Sequence, residues 1–106
     1  MGWFRRRITL TIPNSVHLAR VHIWVTGRVQ GVGFRAFVLQ SGPLFGLTGW
    51  VHNIGYDQVE TVAEGPREVL ERFLQVVKTG PRASRVDEAR VEWETPTGEF
   101  EGFEVR

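Results

Sequence analysis

Gly27-Arg28-Val29-Gln30-Gly31-Val32-Gly33-Phe34-Arg35 is the stretch on which the fold turns. Before it stands Val21-His22-Ile23-Trp24-Val25, a strand-like run. After it comes Ala36-Phe37-Val38-Leu39, an apolar segment suited to a helix that starts near Phe34. The order is therefore strand, glycine-rich loop, helix. Three glycines, Gly27, Gly31 and Gly33, let the backbone curl and turn several N–H groups inward, and such a nest at a helix N-terminus binds an anion. Arg35 adds a planar, permanently charged fork suited to phosphate oxygens. The stretch reads as a phosphate-binding loop. A glycine-rich turn beside a surface arginine is the plain alternative, and loop chemistry alone leaves both open.

Further along, Leu47-Thr48-Gly49-Trp50-Val51-His52-Asn53 reads as a strand. The tight connection Ile54-Gly55-Tyr56-Asp57 joins it to Gln58-Val59-Glu60-Thr61-Val62-Ala63, and the two runs make a hairpin. A second helix has Pro66 in its first turn and stops at Gly80-Pro81. Val69, Leu70, Phe73, Leu74, Val76 and Val77 share one broad face of it. Glu68 and Arg72 form an i,i+4 pair outside. Ala89, Val91 and Trp93 then alternate with charged residues, as do Phe103 and Val105 at the end. One helix per two strands with a central hairpin predicts an α+β ferredoxin-like split βαβ sandwich, an antiparallel sheet with both helices on one face. One local conflict stands in the first helix. Proline costs about 3 kcal/mol in a helix interior, so Gly42-Pro43 predicts an end or kink near Gln40 to Gly42, with Pro43 starting a separate turn.

A chain of 106 residues is one domain by length. It buries roughly two thirds of the surface that its unfolded form exposes, enough for one core. It divides into a leader, residues 1–19, and a domain, residues 20–106. In the leader, Ile8, Leu10 and Ile12 alternate with threonines until Pro13-Asn14-Ser15 breaks the pattern, and weak order is expected there. Met1-Gly2-Trp3-Phe4-Arg5-Arg6-Arg7 has no apolar stretch after it and makes a poor signal peptide. No apolar run approaches the ~20 residues of a membrane span. The cytoplasm is the default compartment. The absence of cysteine excludes disulfides, thiol catalysis and Cys-ligated zinc.

Net charge is +1, but its distribution is lopsided. Residues 1–56 carry arginines 5, 6, 7, 20, 28 and 35 and no acid, whereas every Asp and Glu lies in residues 57–106. A half without carboxylates is a sensible home for an anionic substrate, unless those charges belong to a solvated leader.

Other chemistries fit less well. Gly31-Val32-Gly33-Phe34-Arg35-Ala36 matches the dinucleotide pattern G-x-G-x-x-A, but the acid expected at the end of the second strand is replaced by His52-Asn53. The same run resembles an RNA-binding RNP1 segment, which belongs within a central strand rather than between a strand and a helix. His17, His22 and His52 lack metal-ligand spacing, and His22 and His52 read as satisfied sheet residues. Trp3, Trp24, Trp50 and Trp93 read as packing residues. Asp57, Glu60 and Glu64 read as solvated strand and turn residues.

Together with Gly46-Leu47-Thr48-Gly49-Trp50-Val51-His52-Asn53, Glu64-Gly65-Pro66 and Gly80-Pro81, the opening stretch resembles the acylphosphatase family from about Arg20 to Arg106. The resemblance implies a ferredoxin-like sandwich that hydrolyses the carboxyl–phosphate bond of acyl phosphates with no metal and no organic cofactor. It implies that Arg35 binds the phosphate together with Gln30, Gly31, Val32, Gly33 and Phe34, and that Asn53 orients the attacking water. Arg35 and Asn53 are then the catalytic pair. The expected partner is a small-molecule acyl phosphate, with no nucleic acid and no membrane, acted on by a monomer. The chain departs from the family in its leader, in Pro43, in the turn Gly55-Tyr56-Asp57-Gln58 and in His52 at an often basic position. Two classes stay open: a free-standing enzyme, and a binding or sensing domain using the same anion pocket. Arg35 and Asn53 together favour the enzyme, because a mere anion binder needs no water-orienting amide.

Overall fold

The computed structural model describes residues 17–106. The alternation at Ile8, Leu10 and Ile12 and the break at Pro13 lie outside the described residues. The elements are β1 (Leu18–Arg28), α1 (Phe34–Leu44), β2 (Thr48–Ile54), β3 (Gln58–Pro66), α2 (Arg67–Thr79), β4 (Arg85–Glu94) and β5 (Phe103–Val105). They form a sheet of order β4-β1-β3-β2-β5. Its first four strands pair antiparallel, as expected of the split βαβ arrangement.

Alternation along the strands decides which side is dry. Val21, Ile23 and Val25 of β1, Val51 of β2 and Val59 and Ala63 of β3 are buried on the side that the helices cover. From α2, Leu70, Phe73 and Val77 complete that core, and Phe34 and Val38 reach it from α1. Strand residues in between point the other way and carry the polar groups. There His22 and His52 both bond the Glu60 carboxylate, and the His22 ring stacks on Trp24 at 3.7 Å. These two histidines are satisfied sheet residues. Trp93 lies on the helix side, with the Arg67 guanidinium 3.6 Å from its ring centre, a cation–π contact.

Five local expectations are corrected. First, the sheet is mixed: β5 pairs with β2 in parallel, Gly49 opposite Phe103 and Val51 opposite Val105. Residues 95–102 carry the chain across the end of the sheet from the β4 edge, and it reverses there, so β5 runs the way of β2. Second, α1 does not stop before Pro43 but includes it. In the last turn proline forfeits only its own N–H bond, and a Schellman cap closes the helix three residues later. Gly46, at φ 74, donates to the Pro43 carbonyl, and Leu47 donates to the Gly42 carbonyl. Third, Leu47 belongs to that cap, so β2 starts at Thr48. Fourth, the i,i+4 pair on α2 is Arg67–Glu71 at 3.5 Å, not Glu68–Arg72. Fifth, Glu64 is not the solvated residue expected: it is 7 % exposed and ties down the segment after β4. It accepts the N–H groups of Thr97 at 2.8 Å and Gly98 at 3.0 Å, and it pairs with Arg20 at 3.1 Å. Burial pushes the Glu64 carboxyl pKa up, but those N–H groups, Arg20 and the Thr97 hydroxyl outweigh burial and hold it below the ordinary value. No helix among the described residues is long and apolar enough to cross a membrane.

Candidate active site

The loop between β1 and α1 is anchored at both ends by buried side chains. Val29 and Phe34 are each 1 % exposed, so the residues between them are pinched outward. Gly31 and Gly33 take φ of 75° and 79°, conformations in which a side chain is strained, although each has open space around it. Backbone shape, not crowding, selects glycine here. Gly33 is the N-cap of α1 and has no side chain to bond the first N–H groups of the helix. The first turn holds no acid. A helix start with uncapped N–H groups and no carboxylate attracts an anion.

Around this loop lies a cleft of about 390 Å³. Gln30, Gly31, Gly33 and Arg35 line its loop side, Asn53 lines its sheet side, and Ala36, Leu39 and Val105 close it with apolar surface. Arg35 is exposed, and no carboxylate among the described residues lies within ion-pair distance of it. Among the described residues the guanidinium therefore keeps its hydrogen-bonding fork for a ligand. Asn53 sits near the end of β2, opposite Val59, and therefore faces the helices. Its Oδ1 is buried and has no hydrogen-bond partner among the described residues. A buried acceptor left without a donor costs free energy, and such orphans call for a functional explanation.

The sequence-derived candidates separate into three groups in space. Gln30, Gly31, Gly33, Arg35 and Asn53 come together in the cleft. Phe34 also lines it, although the residue is buried in the core. Val32 packs partly against the core and does not line the cleft. The Gln30 side chain is also engaged elsewhere, donating to the carbonyls of Ile54, Gly55 and Gln58. Leu39 and Val105 escaped the sequence reading. Leu39 carries only the signal of a helix residue, and Val105 arrives by the crossing to β5, for which the sequence has no local mark. His52, the departure beside Asn53, points to the opposite side of the sheet and pairs with Glu60. Neither the dinucleotide nor the RNP1 reading survives, because the glycine run is a loop entering α1 on a sheet of mostly antiparallel strands.

The acylphosphatase family model matches residues 21–105. The acylphosphatase of Trichormus variabilis is 46% identical over 98 residues, covering 90% of this chain and 96% of that relative. That of Syntrophotalea carbinolica is 49% identical over 87 residues, 82% and 95% of the two chains. Among solved structures, the acylphosphatase from Bacillus subtilis superposes with a TM-score of 0.79 at 38% identity, over 85% of this chain and 99% of that one.

Proposed function

The chain belongs to the acylphosphatase family and hydrolyses acyl phosphates, and we propose that it does so in the cleft between the Gln30–Arg35 loop and Asn53, by attack of a water that Asn53 orients. The observation that carries this reading is Asn53: it lines the same cleft as Arg35, and its buried Oδ1 has no hydrogen-bond partner among the described residues. The uncapped N–H groups of the loop and helix start, with the Arg35 fork, hold the phosphoryl oxygens and stabilise the charge that builds on them in the transition state. A water bound to the phosphate donates one O–H to Asn53 Oδ1, which turns an oxygen lone pair toward phosphorus. The P–O bond to the carboxyl group breaks as the bond to water forms. A carboxylate leaves with its electron pair, and the water's proton passes to that carboxylate or to solvent. Because the leaving group is good and Asn53 is neutral, the catalysis is positioning and charge stabilisation rather than general-base chemistry. No metal is required in this scheme. Leu39 and Val105 offer the acyl group an apolar wall. One chain supplies every residue named, which supports a monomer. From Val21 onward the chain carries nine basic and twelve acidic residues, which supports a partner set without nucleic acid.

The test compares turnover and inhibition by inorganic phosphate in four proteins: wild type, Arg35→Ala, Arg35→Lys and Asn53→Ala. Loss of Arg35 is expected to weaken phosphate binding and turnover together, and lysine is not expected to restore them, since a point charge does not reproduce the planar fork. Asn53→Ala is expected to lose roughly a hundredfold to a thousandfold in turnover while phosphate inhibition holds. Near-normal hydrolysis by Asn53→Ala, or undiminished phosphate binding by Arg35→Ala, overturns the site.

A further inference from the structure

Resting on that reading of the site, we propose that Gln30 is a positioning residue whose side-chain amide fixes the phosphate loop to the β2–β3 turn and so sets the place of Asn53 relative to bound phosphate. The Gln30 Nε2 group lies 3.2 Å from the Ile54 carbonyl oxygen, 3.1 Å from that of Gly55 and 3.0 Å from that of Gln58. A primary amide has two N–H groups, so three acceptors share them and none is left for a phosphate oxygen. The side chain therefore serves the hairpin, and the contribution of Gln30 to the anion is confined to its backbone.

What the amide grips gives the contact its meaning. Ile54 follows Asn53 directly, and the three carbonyls belong to the residues that end β2, turn the chain and begin β3. The turn itself has little else to hold it. Gly55 has no neighbour near its Cα on the side-chain side, and Tyr56 is 87% exposed. Outside the strand ladders two other bonds hold this hairpin end, from Gly27 N–H to the Asp57 carbonyl and from the Gln58 amide to the Thr26 hydroxyl, and both join it to β1. Gln30 alone, among the hydrogen bonds of the described residues, joins the loop itself to the turn. Without it, Arg35 and the loop N–H groups still bind phosphate, but the Asn53 amide loses its fixed distance from the phosphorus. Misplacing a reacting group by about 1 Å costs on the order of a hundredfold in rate.

The experiment is a double-mutant cycle on the full chain, with Gln30→Met, Gln30→Ala, Asn53→Ala and the Gln30→Met/Asn53→Ala pair. Methionine keeps the volume and removes the donors, and circular dichroism and the thermal midpoint establish that each variant is folded. For Gln30→Met the expectation is a fall in kcat of roughly tenfold to a hundredfold with phosphate inhibition little changed. In the Asn53→Ala background the same substitution is expected to cost almost nothing further, because a water-orienting group that is absent cannot be misplaced. Three results overturn the proposal: an unchanged kcat, a loss of phosphate affinity in step with kcat, or full additivity with Asn53→Ala. Failure of the site itself looks different. Asn53→Ala alone would then turn over at close to the wild-type rate, and the role of Gln30 would fall with it.

Discussion

Glu64 is a strand residue far from the cleft in sequence logic, yet its removal is expected to reach the cleft. Its carboxylate is 7 % exposed and receives Thr97 N–H, the Thr97 hydroxyl, Gly98 N–H and Arg20, so Glu64→Ala strips four donors of their acceptor. Breaking a buried pair costs about 3–5 kcal/mol. The low end applies here. Arg20 keeps Glu94 at 3.0 Å and Glu99 at 2.9 Å, and Thr97 and Gly98 are exposed enough for water to replace the lost bonds. A loss of about 3 kcal/mol lowers the thermal midpoint of a domain this size by roughly 12–24 °C. The pH dependence has a definite sign. The folded carboxyl titrates below its ordinary value of 4.5, so its stabilisation is complete above that value and is lost as pH falls through the lower, folded one. Thermal unfolding of wild type and Glu64→Gln followed from neutral to acid pH is thus expected to show a gap that narrows on acidification. Because Thr97 and Gly98 begin the path to β5, hydrogen exchange in residues 95–105 should also quicken in the variant at neutral pH. A midpoint within a degree or two of the parent, or a gap independent of pH, would refute the assignment of this carboxylate as the clamp on the crossing segment.

Two further outcomes follow from the cleft. Val105→Asp, which places a carboxylate on the apolar wall, is expected to raise KM for an acyl phosphate with an uncharged acyl group. Unchanged kinetics across a series of acyl groups would show that β5 does not meet the substrate. Activity is expected to survive a strong chelator, since Arg35 and backbone N–H groups supply the charge stabilisation. Loss in EDTA with recovery on adding Mg²⁺ or Zn²⁺ would overturn the metal-free scheme.

Much of this protein is written in short-range signals. The strand–loop–helix order, the hairpin and the second helix depend on alternation, glycine φ and helical spacing, each read within a few residues. The glycines at 31 and 33 announce a loop because their left-handed backbone angles strain most other residues. Arg35 announces a charge with no nearby acid, since the whole first half of the chain has none. Asn53 is different. Composition and spacing do not single it out, and only the family resemblance points to it. Its orphaned Oδ1 became visible only when β2 and β3 were paired. Pro43 shows a local rule outweighed by another local signal, because the helix stop lay in Gly46, whose left-handed φ closes the cap beyond the proline. The remaining features were decided by tertiary structure alone. The parallel pairing of β5, the approach of Val105 to the cleft, the Glu64 clamp and the grip of Gln30 on the hairpin all join residues distant along the chain. Their partners are chosen by where the crossing segment lands and by which unpaired carbonyls or N–H groups it leaves in reach. Alternation states which face a residue occupies, but not which strand lies beside it, and that second choice is what assembles the site.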